Sequence, residues 1–182
     1  MRRYPPSTRR GVLFSGLAST LLALVACSPT LDWRLTPISG TSLTAFFPCK
    51  PDQFSRQISL AGNSERVVLV SCKAAQHTFA VTAVDMQRDE RRLQGVTALK
   101  SAAQQNFGGF SQTLPPRLIP GAAQTGRADV VTAKLSATPA RSLQAQMVFF
   151  SHGRWVFQAT VMAETLEPDA VVFFFDNLKL NP

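Results

Sequence analysis

The sequence contains few of the residues from which catalytic and metal sites are built. It has two histidines, three cysteines and one tyrosine in 182 residues. No G-x-S-x-G elbow, phosphate-binding P-loop, H-E-x-x-H zinc motif or EF-hand loop is present. The histidines, His77 and His152, are isolated and have no C-x-x-C or H-x-x-x-H spacing near them. We therefore expect no catalytic residue, no metal site and no cofactor, and we interpret both histidines as exposed or turn residues.

Acidic residues are absent from the first 31 positions. Four arginines (Arg2, Arg3, Arg9 and Arg10) precede GVLFSGLASTLLALVA, residues 11–26, which carries no charge. This is the layout of a secretory signal, and the apolar run is shorter than the roughly 20 residues that a spanning helix needs. The sequence thus predicts a signal peptide over residues 1–26.

The apolar run ends in LVAC, residues 24–27, which resembles the lipobox of bacterial lipoproteins. In that family the cysteine thiol receives a diacylglycerol, the chain is cleaved before the cysteine, and the new amino group is often acylated. The resemblance implies lipidation at Cys27, and two or three acyl chains anchor a protein stably where one is marginal. Ser28 follows the cysteine, which by resemblance to lipoprotein sorting rules favours the outer membrane, facing the periplasm. The alternative is an ordinary signal peptide or an anchor helix with an incidental cysteine.

Charge in the mature chain is modest. Removing residues 1–26 takes away four of the 19 basic residues and no acidic one, which leaves 15 Lys and Arg against 11 Asp and Glu, a net charge of +4. The 13 phenylalanines lie mostly in apolar segments, whereas a nucleic-acid platform interleaves aromatic residues with Arg and Lys. We expect no nucleic-acid partner. The expected partners are the membrane, through lipid on Cys27, and a protein of the cell envelope.

Two cysteines, Cys49 and Cys72, follow Cys27. Outside the cytoplasm an even number of cysteines first indicates a disulfide, and each of these lies at the end of a predicted strand. Two free buried thiols are one alternative. Metal or redox chemistry with the histidines is another, although the C-x-x-C spacing that such chemistry favours is missing.

Hydrophobic periodicity predicts an α+β domain over residues 43–182, preceded by a lipidated N-terminus and tether at 27–42 with a short strand at DWRLT. Strands are predicted at LTAFFP, FSRQISLA, ERVVLVSCK, HTFAVTAVDM, ADVVTAKLSA, RSLQAQMVFF and WVFQATVMAE, the last two joined by the turn SHGR. We expect an antiparallel sheet of about six strands, covered by a central and a C-terminal helix.

The central helix is predicted between Arg88 and Phe107, where apolar residues recur every three or four positions. Asp89 is expected to cap its start. The short C-terminal helix begins at Pro168 and is expected to dock on the WVFQATVMAE strand. Residues 113–126, with three prolines, are predicted to form an irregular connection and the most favourable place for a functional surface.

This order of elements resembles small bacterial exported domains of the Mog1/PsbP-like type. Their usual pattern is an early F-P-x-x-P, a late G-R-x-Y-x-x-x-V and a closing F-hydrophobic-x-S-[FL]-x-[LV]. The positions that match or approximate it are Phe47, Pro48, Pro51, Gly153, Arg154, Trp155, Val161, Phe175, Asn177 and Leu178. Trp155 and Asn177 depart from the commonest residues. The resemblance implies an antiparallel sheet covered by helices, and accessory or binding roles without shared catalysis.

The sequence is consistent with two alternative functions. The first is a lipid-anchored, non-enzymatic binding or accessory protein of the cell envelope. The second is an envelope hydrolase or ligand-carrying enzyme whose site has no recognisable motif. An enzyme should show a cleft that joins a histidine to a carboxylate and a nucleophile, whereas a binding protein should show an exposed apolar surface near residues 110–126.

Overall fold

The computed structural model describes residues 31–123, 127–138 and 141–181, together with Met1. Its strands are β1 (Arg34–Pro37), β2 (Leu43–Phe47), β3 (Asp52–Leu60), β4 (Asn63–Ala74), β5 (His77–Asp85), β6 (Gln112–Leu118), β7 (Arg127–Thr138), β8 (Arg141–His152), β9 (Trp155–Ala163) and β10 (Lys179–Leu180). The helices are α1 (Arg92–Asn106), which follows a 3-10 turn at Asp89–Arg91, and α2 (Pro168–Asp176). The predicted α+β class is confirmed.

The strands form two sheets. Seven are ordered β3-β4-β5-β9-β8-β7-β6 with antiparallel neighbours, and a separate three-stranded sheet is ordered β1-β2-β10. The prediction of about six strands in one sheet was therefore too low. Short segments from both ends of the domain pair with each other, and such long-range pairing leaves no local signal in the sequence.

One face of the seven-stranded sheet is covered by the three-stranded sheet and α2. The ring of Phe174 in α2 lies 5.5 Å from that of Phe47 in β2 and 5.3 Å from that of Phe79 in β5. Val161 of β9 belongs to the same buried cluster. The C-terminal helix thus packs over the large sheet, but the prediction that it docks on β9 is corrected, because its ring contacts come from β2 and β5.

The opposite face carries α1, whose buried side is Gly95, Leu99 and Ala103. A Cβ atom on Gly95 would lie 2.6 Å from the sulfur of the buried Met86, so a glycine allows the close approach of helix and sheet. Leu93, the first residue of the apolar pattern that predicts this helix, is 51% exposed. It lies about 200° around the helix from Gly95, because each residue adds roughly 100°.

Residues 112–118 form the edge strand β6, which corrects the prediction of an irregular connection from 113 to 126. Leu114 pairs with Val130 and Arg117 with Ala128, so Pro115 and Pro116 make a bulge opposite a single β7 residue. Prolines are tolerated here because an edge strand has neighbours on one side only. Residues 124–126 lie outside the described ranges.

The predicted disulfide is confirmed. Cys49, just after β2, is bonded to Cys72 in β4, with a Cα–Cα distance of 6.1 Å. Because β2 belongs to the small sheet and β4 to the large one, this bond links the two layers covalently.

Part of the segment assigned to the tether is folded. β1 pairs with β2, and Leu31 and Trp33 are half-buried and pack against the edge of the core. The predicted signal peptide and Cys27 lie outside the described residues. Among the residues described, no helix is long and apolar enough to cross a membrane.

Candidate binding face of the seven-stranded sheet

A strip of the seven-stranded sheet beside α1 is half exposed. Along β5 and β9 the residues that face the three-stranded sheet are buried, whereas most of those that face the α1 side are partly accessible. Cross-strand register places Ser71 opposite Ala80 and Ala80 opposite Thr160, with Thr82 opposite Gln158. We call these residues the open strip: Ser71, Thr78, Ala80, Thr82, Gln158 and Thr160.

The open strip exists because α1 covers only part of its face. The helix contacts β8, β9 and the end of β3, and it stops at Asn106. The chain then turns through Gly108 and Gly109, both with positive φ, and leaves for the far edge of the sheet. The side chains left uncovered are mostly small and polar, so they tolerate water. Gln158, for example, donates a hydrogen bond to the Thr160 hydroxyl at 3.0 Å.

A cavity lies at each end of the open strip. The larger, about 650 Å³, lies between α1 and strands β3 and β4, and its lining includes Phe54, Arg56, Leu69, Leu99, Asn106 and Gln158. Phe54 is 63% exposed and Leu69 is 37% exposed, so this end offers apolar surface. The smaller, about 470 Å³, has Lys73, His77, Thr78, Met162, Glu164 and Thr165 in its lining. Each cavity therefore combines apolar groups with a basic side chain.

His77 lines the smaller cavity but is buried, which corrects the expectation of an exposed or turn residue. Its Nε2 accepts a hydrogen bond from the backbone N–H of Glu167 at 2.9 Å, so this nitrogen carries no hydrogen. Its Nδ1 then donates to the carbonyl of Ala75 at 2.7 Å. Both ring nitrogens are thus hydrogen-bonded to the backbone, and His77 links the start of β5 to the segment that precedes α2.

The β8–β9 turn lies near three further polar residues, His152, Asp85 and Asp89, and each makes its own contacts. The Nδ1 of His152 lies 2.7 Å from the carbonyl of Gly121, so this histidine links the β8–β9 turn to the loop after β6. Asp85 accepts from the Gln87 amide at 2.9 Å and pairs with Arg154 at 3.0 Å. Asp89 does not cap α1: no side chain caps this helix or the 3-10 turn before it. The tight turn there places the capping positions at arginines.

The sequence reasoning missed a buried acid, Glu65. Its side chain is fully buried and accepts hydrogen bonds from Arg91 at 2.5 Å and from Gln87 at 2.9 Å. Alternation along β4 places Glu65 on the same side as Val67 and Leu69, facing α1. The alternation along β4 and the run of arginines before the central helix could have predicted that Glu65 is buried and paired with an arginine.

Within the range 113–126, where a functional surface was expected, residues 113–118 belong to the edge strand β6, and Leu118 there is strongly exposed. It does not adjoin the open strip, since β6 and β5 are separated by three strands. Within the part of the chain that the structure describes, no group of three or more His, Cys, Asp or Glu residues could hold a metal ion. Comparison with known proteins adds no assignment, because no protein-family model matches the chain and no curated protein matches it significantly.

Proposed function

We propose that this protein is a lipid-anchored, non-enzymatic binding or accessory protein of the cell envelope. Cys27 carries the lipid, and the domain lies at the outer membrane and faces the periplasm. The LVAC sequence after an uncharged run supports the anchor. The Cys49–Cys72 disulfide supports the compartment, because disulfides persist outside the cytoplasm and are rare inside it.

The observation that carries the binding role is the open strip with its two flanking cavities. Hydroxyl and amide groups on β5 and β9 can hydrogen-bond a partner, while Phe54 and Leu69 supply exposed apolar surface. Binding sites commonly combine a concave apolar surface with a few polar groups that fix orientation. The partner is an envelope protein, one segment of which binds the open strip on β4, β5 and β9.

The hydrogen bonds of His77 also favour a binding role over a catalytic one. A general base needs a free nitrogen within reach of the proton that it removes. In the smaller cavity both nitrogens of His77 are bonded to backbone. Neither is left to activate a nucleophile beside Glu164.

The finer fold that we propose is Mog1/PsbP-like. The positions that carry the resemblance are core and turn residues here: Phe47, Trp155 and Val161 are buried, and Gly153 has a φ of +51° in the β8–β9 turn. An accessory role without catalysis is what that family implies.

The experiment is site-specific photocrosslinking in intact envelopes. A photoreactive residue replaces Thr160, and crosslinked products are compared among three backgrounds: the native sequence, Gln158→Arg and Gln112→Arg. Gln158 is half-buried in the open strip, whereas Gln112 is exposed on the edge strand β6. We expect a discrete product that Gln158→Arg abolishes and Gln112→Arg retains. A product that survives Gln158→Arg, or none at all, would refute the binding role of the strip.

A further inference from the structure

The folded domain begins very close to the proposed lipid anchor. Leu31 packs against the core, and the Asp32 amide donates to the Pro48 carbonyl at 2.9 Å. Cys27 precedes Leu31 by four residues, a length of chain that spans at most about 14 Å. If Cys27 is acylated, as the proposed function requires, this end of the domain is held at the bilayer surface.

An apolar patch lies at the same end. We call it the outer patch: Trp33, Leu35, Phe46, Val172 and Phe173. Leu35 is 55% exposed, Val172 47% and Phe173 39%. Leu35 is directly opposite Phe46 in the β1–β2 pair, and the ring of Phe173 lies 4.4 Å from Trp33 and 6.0 Å from Phe46. These residues therefore form a continuous surface across the small sheet and α2.

Charged side chains border the outer patch. Lys179 of β10 pairs with Thr44 of β2, on the same outward side as Phe46, and is exposed. Two nearby acids are paired with arginines, Asp32 with Arg34 and Asp176 with Arg117, and a third, Asp169, lies one turn before Phe173 on the same side of α2. Tryptophan and other aromatic residues favour the boundary between headgroups and acyl chains.

We propose that the outer patch docks on the lipid bilayer and fixes the orientation of the domain. The anchor supplies proximity, and the patch inserts its aromatic and aliphatic side chains at the headgroup boundary. The outer patch is on the layer that covers one face of the seven-stranded sheet, whereas the open strip is on the opposite face. Docking therefore presents the open strip to the aqueous space, where an envelope partner can reach it.

The test is tryptophan quenching in vesicles. The mature protein, purified from membranes with its own N-terminus, is reconstituted in phosphatidylethanolamine–phosphatidylglycerol vesicles with or without brominated phospholipid. Because the chain has two tryptophans, a Trp155→Phe background leaves Trp33 as the reporter. If Trp33 lies at the acyl boundary, bromination should quench its emission by about half or more. Phe173→Asp should remove most of that quenching.

The matched control is Phe54→Asp. Phe54 is also an exposed phenylalanine, but it lines the cavity on the opposite side of the sheet. We expect full quenching with this variant. Equal quenching in Phe173→Asp and the unsubstituted patch would overturn the proposal, and so would unquenched Trp33 emission in an acylated protein. Dimers that Phe173→Asp dissociates, with Trp33 unquenched, would assign the outer patch to a second copy of the chain and also overturn it.

Mass spectrometry of the same sample separates this proposal from the proposed anchor. An acylated Cys27 with unquenched Trp33 refutes docking and leaves the anchor intact. An unmodified amino terminus refutes the anchor. In that case, quenching of Trp33 after the unacylated protein is added to vesicles would support docking by the outer patch without the anchor. Unquenched Trp33 would refute docking as well.

Discussion

A fully buried carboxylate, Glu65, ties the start of the long helix to the large sheet. Its partners, Gln87 and Arg91, lie on the segment that leads from β5 into α1. The side chain of Arg91 is 15% exposed, so both members of the ion pair are largely shielded from water. Removing one member of such a pair leaves an uncompensated charge in the interior, which is costly.

We predict that Glu65→Ala lowers the free energy of unfolding by about 3 to 5 kcal/mol, the usual cost of breaking a buried pair. Urea denaturation followed by circular dichroism measures it. The matched control is Glu90→Ala, at an exposed position in the 3-10 turn, which should change stability by less than about 0.5 kcal/mol. Equal stability of the two variants would show that the Glu65 pair has no such role.

At the scale of elements, α2 depends on packing because nine residues are too few for a stable isolated helix. Its four buried residues are Ala170, Val171, Phe174 and Phe175. Phe174 is fully buried among the rings of Phe47, Phe79 and Phe175. Phe173, the next residue back, is 39% exposed, so the helix offers its own comparison of two adjacent phenylalanines.

Phe174→Ala should cost about 3 to 5 kcal/mol, because it removes a buried ring and leaves a cavity. That is a large share of the roughly 5 to 15 kcal/mol by which such domains are stable. Phe173→Ala should cost clearly less, and Asn177→Ala about 1 kcal/mol for its hydrogen bond to the Phe173 carbonyl. Thermal melts compare the three variants. Unchanged melting of Phe174→Ala would contradict the docking of α2.

The disulfide acts between elements. It closes a segment with a sequence separation of 23 residues and joins β2 of the small sheet to β4 of the large one. Its loss should destabilise the domain by roughly 3 kcal/mol in the chain-entropy account. We predict no free thiol at Cys49 or Cys72 in unfolded, unreduced protein, and one at Cys49 in the Cys72→Ser variant. Thiol titration in denaturant tests this, and two reactive thiols in the native sequence would refute it.

Local sequence patterns predicted most elements of the fold. Alternation in HTFAVTAVD and WVFQATVMA located β5 and β9, and the turn residues between β8 and β9 located their hairpin. The pattern failed at Pro115 and Pro116, because whether a proline is tolerated depends on the edge position of its strand. The pattern also could not show that Gly95 leaves room for the Met86 side chain, since that contact joins two separate elements.

The candidate site was less predictable than the fold. Thr78, Thr82, Gln158 and Thr160 are visible as the polar half of two alternating strands. Their partial exposure, however, depends on where α1 ends over the sheet, and packing between elements decides that. The burial of His77 was likewise not predictable, because its Nε2 is satisfied by the backbone N–H of Glu167, 90 residues away.

For the molecule as a whole, we propose a different task for each side of the seven-stranded sheet. In this proposal the small sheet, α2 and the outer patch face the bilayer, and α1 with the open strip faces the periplasm. The disulfide and the aromatic core hold the two layers together. In the same proposal, acylation of Cys27 holds the domain at the bilayer.

The most direct measurement is intact-mass and peptide mass spectrometry of the mature amino terminus from the membrane fraction. We predict that Cys27 is the first residue, carries a diacylglycerol on its sulfur, and is the only cysteine so modified. A Cys27→Ala variant should stay as an uncleaved, unacylated precursor. An amino terminus at another residue, an unmodified Cys27, or an intact signal peptide in the native protein would refute the proposed lipid anchor.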